Sequence, residues 1–440
     1  MIRKQYGFTL IELMITMVIV VIIMGAAATI FSSLLGQVKT QGRIAETNAE
    51  GVVGLQMFKN DIDQAGYGLP WDLSGSNYNE VAGPVIINPG AAYNDDNGGF
   101  GSFPPRPIAV GYNLVNTLNN SDWLVIKANS VATTPTAHQW TYVTNTGVID
   151  LLQIWNDANG NNIVQENLVK GNYVTVMQPL SDGSGNVRAL ALDTVGNKFY
   201  AKFDTDITKM PASMQPLNAA SGIHTTYMIY GVDPSTPLRM PFNRADYYIA
   251  TNLFPVPNPN LVPSKCAPNT GELVKSVVIQ TGAPGAELPL LDCAADLQVV
   301  VGLDINNNGI IGTYYDGTNF GNAPADPLTE NAKITDIQAV LNASAAAALT
   351  QRTQLKEMRV YILAHDGGID MSFTYSNTKL NPNCIGAQQI FVGDASASLG
   401  NTVLGANYGR CFDLQANIGV NYMHYRWQVY SIVVKTSNLR

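Results

Sequence analysis

At 440 residues the chain is long enough for two or three ordinary domains, or for one extended element carrying a large folded head. Its 25 Lys and Arg against 33 Asp and Glu give a formal net charge of -8 with no basic run, which argues against nucleic acid and anionic lipid surfaces as partners. Only 13% of residues are charged while Asn, Gly, Thr and Tyr are plentiful, a composition closer to an exported β-rich surface than to a cytosolic enzyme.

Residues 1–7, MIRKQYG, carry Arg3 and Lys4 and no acid, so the positive-inside bias leaves them in the cytoplasm and puts whatever follows a membrane crossing outside it. From Phe8 to Leu35 the only formal charge is Glu12. A helix of that length reaches about 42 Å, more than the roughly 30 Å hydrocarbon core. A carboxylate inside such a helix costs roughly 2.5 to 3.5 kcal/mol on insertion scales, so it needs a partner or a function. On composition alone a cleaved secretory signal is a rival reading, with Arg3 and Lys4 as the basic region, Leu13 to Gly25 as the apolar region and Ala26-Ala27-Ala28 as the cleavage site. Against it stand the carboxylate at the front of the apolar run and the continuation of that run through Ile30, Phe31, Leu34 and Leu35.

The stretch GFTLIELMITMVIV resembles the class III signal of type IV prepilins, a short basic leader ending in Gly, then Phe, then a carboxylate at the fifth mature position. Gly7, Phe8 and Glu12 match those three positions. The resemblance implies that a prepilin peptidase cuts after Gly7, that the new amine of Phe8 is methylated, and that the apolar helix of residues 8–35 stays attached. It also implies that Glu12 meets the N-terminal amine of a neighbouring subunit, an ion pair that offsets desolvation and sets register. Many shaft pilins carry a Pro within this helix; here there is none, and Gly25 is the only soft point.

Residues 36–66 contain no Pro, and apolar residues recur at Val38, Ala45, Val52, Leu55, Phe58 and Ile62, one face of an amphipathic continuation of the helix. Gly42, Gly51 and Gly54 weaken it by about 1 kcal/mol each relative to Ala, so packing on the head has to hold it. The turn signal GYGLP, from Gly66 to Pro70, ends it.

Residues 71–440 show short alternating runs between Gly-, Asn-, Asp- and Pro-rich loops, which predicts a β-rich head and an α+β chain. The clearest strands begin at Trp123, Tyr173, Leu297, Met358 and Tyr425. Thr335 to Leu355, with its Ala run and Thr335 as the capping candidate, predicts a surface helix. Asp72 to Ser121 and Lys202 to Cys266 carry no assignable pattern. The order SDWLVIKANS, DLQVVVGLDINNNG, MRVYILAHDG and YRWQVYSIVVKTSNL resembles the PilW-type minor pilin family, whose last segment commonly ends in Arg-Asn. Here the closing pair is Ser437-Asn438, with Arg440 displaced.

The four cysteines, Cys266, Cys293, Cys384 and Cys411, form two pairs of equal spacing and no C-x-x-C, which favours disulfides in an exported chain. Nearest-neighbour pairing is the preferred one of the three connectivities that four cysteines permit. No nucleophile elbow, zinc-protease helix, Walker loop or dinucleotide fingerprint is present, and His138, His224, His365 and His424 are far apart, so no catalytic residue is assigned. The loop DINNNG sets Asp304, Asn306 and Asn308 before Gly309 as a calcium loop would, but the closing ligand position holds Tyr315, with Asp316 one place on. The same residues make an ordinary turn, which is the preferred reading, with Ca2+ as the alternative. Asp157, Asn159 and Asn161 form a weaker version.

The prepilin resemblance implies a minor pilin, a single-pass inner-membrane protein with its head outside the cytoplasm that moves into the pilus on assembly. It implies the major pilin, other minor pilins, the prepilin peptidase and the inner-membrane assembly platform as partners. A type II secretion pseudopilin and a tip-located adhesin or calcium-responsive module are the alternatives, and an exported enzyme would follow if cleavage occurred near Ala28.

Overall fold

The computed structural model describes residues 9–439 except 84–88, 97–102, 146–148, 152–166, 182–185, 217–224, 256, 323–332, 343, 378–383, 385, 395–407 and 437. Gly7, Phe8, His224, Asp157, Asn159 and Asn161 lie outside the described residues.

One helix, α1 (Leu10–Asp63), covers both the apolar segment and its amphipathic continuation without a break. It stops at Gln64, just before the GYGLP turn, where Gly66 and Gly68 adopt φ of +84° and +70°. A Cβ at Gly66 would stand 2.6 Å from the Leu439 side chain, so the turn needs glycine for its backbone and for its close approach.

The strands follow in chain order: β1 (Ile108–Gly111), β2 (Trp123–Ala128), β3 (Trp140–Asn145), β4 (Ile149–Leu151), β5 (Tyr173–Ser181), β6 (Asn186–Leu190), β7 (Ala201–Lys202), β8 (Thr226–Asp233), β9 (Asn243–Ala250), β10 (Gly271–Val278), β11 (Pro284–Leu303), β12 (Thr313–Tyr315) and β13 (Phe320–Asn322). Helices α2 (Ile334–Leu341) and α3 (Ala345–Gln354) lead into β14 (Leu355–Asp366); β15 (Gln389–Asp394), β16 (Tyr408–Asp413), α4 (Leu414–Ile418) and β17 (Arg426–Lys435) complete the chain. Among the described residues these strands make a nine-stranded sheet in the order β1-β2-β9-β10-β11-β12-β13, with β14 joining β11 to β17. A six-stranded sheet runs β4-β3-β8-β5-β6, with β7 on β5, and β15-β16 form a ribbon. All pairings within these sheets are antiparallel, as in β14 against β17, where Val360 faces Ile432 and Ile362 faces Tyr430.

The period of two explains the layering. On β11 and β14, Leu297, Val299, Val301, Met358, Val360 and Ile362 face a core shared with Phe58 and Ile62 of α1 and Ile337 and Val340 of α2. Val300, Tyr361 and Leu363 face the opposite way, into a second core closed by Val392, Tyr408, Phe412 and Trp427. The large sheet is therefore buried on both faces, and its strands read as continuous apolar runs.

The helix predicted from Thr335 to Leu355 is two helices. Asn342 is extended, with ψ of 152°, and Ser344 starts the second by accepting the Ala347 N–H at 3.0 Å. Thr335 lies inside α2, whose N-cap is Lys333. The Asn-to-Ser stretch offers side-chain caps in place of helical hydrogen bonds, and the two short helices can then both pack against the head.

Strand β9 lies in the segment without assignable pattern. All eight of its residues are buried, including Asn243, Arg244 and Asp246. Arg244 donates to Asp246 Oδ1 at 2.7 Å, Glu80 Oε2 at 2.8 Å and the Gly90 carbonyl at 2.7 Å. Lys127 of β2 pairs with Glu80 and Asp95, and Asp95 in turn with Arg106. Three cations and their carboxylates thus neutralise one another inside the head, the arrangement under which buried charge is tolerated.

Candidate assembly site on the long helix

Thr9 and Glu12 start α1 as a reciprocal pair. The Glu12 N–H donates to Thr9 Oγ1 at 3.4 Å, and the Thr9 N–H and hydroxyl donate to Glu12 Oε2 at 2.9 and 3.0 Å. This capping box satisfies two of the donors that a helix start leaves open. The signature is present in the sequence as Thr9-Leu10-Ile11-Glu12, where Thr9 reads as part of the prepilin-like motif and as the cap of the helix at once. From Leu10 to Phe31 the helix has a mean hydropathy of 2.7 and none of it is buried by the rest of the chain. The segment is long and apolar enough to cross a membrane, and the described residues do not cover it.

The other end of α1 is held firmly. Phe58 stacks on Tyr247 with ring centroids 4.6 Å apart, and Ile62 is fully buried, each such side chain contributing about 1.5 to 3 kcal/mol. Asp61 accepts from the Tyr247 hydroxyl at 2.6 Å and from Lys275 Nζ at 2.7 Å. Burial, followed by the Asp61 charge, pushes the Tyr247 hydroxyl well above its ordinary value, so it stays a neutral donor. An acid in the last helical turn opposes the helix dipole, and Lys275 offsets that. Asn438 adds a bond to the Asp63 carbonyl at 2.9 Å, tying the end of the chain to the end of the helix.

Two glycines read as weak points turn out to be contact points. A Cβ on Gly54 would lie 1.9 Å from the Leu290 carbonyl oxygen, and one on Gly51 would lie 2.9 Å from Leu291 Cδ1. The helix backbone meets β11 at van der Waals distance there, a gap that only glycine leaves. Val52, predicted on the buried face, is instead 66% exposed, and Val53 beside it is 67% exposed. The face in contact with the head runs through Gly51, Gly54, Phe58 and Ile62, and the apolar-only pattern missed it because the closest contacts have no side chain. Gly42 has nothing within 4 Å.

The cysteines pair as Cys266–Cys293 and Cys384–Cys411. The DINNNG loop closes on its own backbone. Asp304 accepts the Asn308 and Gly309 N–H groups at 2.9 and 2.8 Å, Asn306 accepts from Asn308 at 3.3 Å, and Asn308 accepts from Ile310 at 2.8 Å. Lys356 Nζ lies 3.5 Å from Asp304 Oδ2, and Asp316 is engaged by Thr318, Asn319 and Gly409. The loop is thus a hydrogen-bonded turn with an ammonium at its carboxylate. His365 is buried, its Nε2 accepting the Ala267 N–H at 2.9 Å and its ring lying against Tyr425 and Trp427; His424 Nδ1 lies 2.9 Å from the Phe373 carbonyl oxygen. Both are accounted for by packing.

A helix start with a lone carboxylate, a bare apolar span and a head-bound far end together describe a helix whose outer half the described residues leave exposed. Residues 2–28 match the family model described as the prokaryotic N-terminal methylation motif. The chain carries a type IV pilin-like signal. That motif indicates a type IV pilin-like or pseudopilin protein, and with the apolar span it fits a membrane-anchored pilin-like chain. Comparison with curated proteins and with solved structures gives no match. The pilin-like assignment therefore rests on the N-terminal segment, and the head enters through its own geometry.

Proposed function

We propose that this pilin-like chain is a minor pilin, a low-copy subunit that enters a type IV pilus through α1 and acts in priming or at the tip, by packing and without chemical turnover. The observation that carries the reading is the methylation motif placed at the start of a helix whose apolar span the described residues leave uncovered. Neighbouring subunits, the major pilin and other minor pilins, would cover that span, while the prepilin peptidase and the assembly platform of the inner membrane act on it beforehand. A head formed by residues 71–440 favours a low-copy position, because heads of that size repeated along a thin helical filament would collide. A PilW-type relation is the reading suggested by the sequence of four head segments, those around Trp123, Leu297, Met358 and Tyr425.

A type II secretion pseudopilin is the second reading, favoured by the same motif, which both classes share. A deletion that abolishes pili but leaves secretion intact supports the pilus reading, and the reverse phenotype supports the pseudopilin. The deciding measurement for either is the mass of the N-terminal peptide from the protein in its native membrane. A methylated Phe8 fits both; an unmodified end near Ala28 would discard α1 as a signal and remove the reading.

A further inference from the structure

The seam between α1 and the head rests on a bend in β11. Gly51 and Gly54 approach Leu291 and the Leu290 carbonyl so closely that a side chain would not fit, so the path of these two leucines decides whether the helix can seat. Just beyond them, Cys293 is fully buried and takes a φ of +55° inside the strand. A residue other than glycine keeps that backbone conformation only where its surroundings impose it. Around Cys293 the strand also changes partners. Leu291 faces Leu273 of β10, Ala294 faces both Gly271 of β10 and Ala364 of β14, and Asp296 faces Leu363 of β14, with the register of both ladders shifting in this stretch. An irregularity of this kind bends a strand and re-aims its side chains.

The segment that grips this bend comes from the loop before β10. Cys266 is bridged to Cys293, and the residues just before the two cysteines pair as well, with Lys265 Nζ 2.6 Å from Asp292 Oδ2. The Ala267 N–H donates to His365 Nε2 of β14 at 2.9 Å. Ala267 and Ala295 belong to the core on one face of the large sheet, whereas Leu290, Leu291 and Ala294 belong to the core shared with α1. The loop therefore holds β11 from one face while α1 sits on the other, and the bridge is the covalent link at the bend between them. The second bridge, Cys384–Cys411, serves a different place: Cys411 lies on β16, whose Tyr408 and Phe412 pack in the core that α1 does not touch.

We propose that the Cys266–Cys293 bridge locks the seat of α1, so that the helix docks in full on the oxidised head and the joint between helix and head loosens when the two thiols are free. Closing the bridge removes two electrons and two protons from the thiols and passes them to a disulfide, which leaves as two thiols. The joint thereby responds to the thiol–disulfide balance around the head. In the pilin-like role proposed above, oxidation outside the cytoplasm would fix the head on its helix before the chain enters an assembly; that consequence rests on the role, and the lock itself does not.

The two bridges supply their own control. Both span 27 positions, so in the chain-entropy model each constrains the unfolded chain equally, and a difference at α1 reports the seat alone. The measurement is hydrogen exchange of the full chain in detergent, followed by mass spectrometry of peptides covering residues 51–63. Cys266→Ser/Cys293→Ser should speed exchange there by about tenfold or more, whereas Cys384→Ser/Cys411→Ser should change it by less than about twofold. If the first variant does not fold, Cys266→Ala/Cys293→Gly takes its place, because glycine adopts a positive φ without a steric penalty. It permits the bend without imposing it, so exchange at residues 51–63 should still rise, by about threefold or more. Unchanged exchange at residues 51–63 after loss of the Cys266–Cys293 bridge overturns the proposal, and so does an equal rise on loss of either bridge.

Discussion

The two ends of α1 are made of one continuous helix and solve opposite problems. From Leu10 to Phe31 the described residues cover none of the helix, and its one charged side chain, Glu12, finds its partner three residues away in Thr9. From Gly51 to Asp63 the helix lies against the large sheet, and its buried carboxylate, Asp61, finds its partners more than 180 residues on, in Tyr247 and Lys275. The difference teaches where each half is completed. The inner half is packed against its own head, whereas the outer half keeps its apolar surface and its carboxylate exposed among the described residues.

The largest expected effect follows from breaking the inner half at its charge. Asp61→Ala leaves Lys275 buried without an acid and Tyr247 without its acceptor, and loss of one partner from a buried pair costs about 3 to 5 kcal/mol. Chemical denaturation of the full chain should show that loss, and a variant that melts like the wild type would mean that α1 is not docked as described. Gly54→Ala comes next, at about 3 kcal/mol, because its methyl group meets a backbone carbonyl and cannot be accommodated by a rotamer change. Its control sharpens the comparison. Gly42→Ala, where nothing stands within 4 Å, should leave stability unchanged or raise it by up to about 1 kcal/mol.

The head's self-sufficiency has a pH signature. Burial among Tyr425, Trp427 and the Cys266 to Ala267 segment pushes His365 down to about 4 from an ordinary value of 6.5. Between those values the unfolded chain takes up a proton that the folded head refuses. The neutral-imidazole contribution is therefore complete above about pH 6.5 and is lost as the pH falls towards 4, by up to about 3 kcal/mol. His365→Gln, which keeps an acceptor for the Ala267 N–H, should flatten the stability profile in that window; an unchanged slope would assign it to other groups.

Much of this was legible in the sequence for a simple reason: the outer helix and the strands β2, β5, β11, β14 and β17 are apolar enough to declare themselves within a few residues. The inner contact face was not, because Gly51 and Gly54 make the closest approach without any side chain for a hydrophobic pattern to register. Strand β9 was hidden for the opposite reason. Arg244 and Asp246 interrupt its apolar pattern and leave it unassigned, because the residue that completes their charge balance, Glu80, is far away in the chain. The break between α2 and α3 was masked by the Ala-rich run, whose helix propensity is real but begins only after Ser344. What sequence periodicity cannot carry is pairing between distant polar residues, such as Arg244 with Glu80 and Lys127 with Asp95.

The smallest effect on stability, and the most informative about function, belongs to Glu12. Among the described residues its hydrogen-bond partner outside the helix ladder is Thr9, so Glu12→Ala should leave the melting of the head unchanged while loosening the first turn of α1 by about 1 kcal/mol, the worth of a cap. Under the pilin reading the same substitution should keep the protein in the inner membrane and out of sheared pili, measured by immunoblot of the two fractions. Glu12→Gln separates the two roles of the side chain, because an amide oxygen can still accept from the Thr9 N–H and hydroxyl but cannot form an ion pair with a neighbour's amine. If the Gln variant is excluded from pili as the Ala variant is, the charge is what the filament reads, and the capping box serves as a holding partner until a neighbour arrives. If the Gln variant enters pili normally, the carboxylate is a helix cap and no more, and register between subunits has to come from the apolar surface of Leu10 to Phe31.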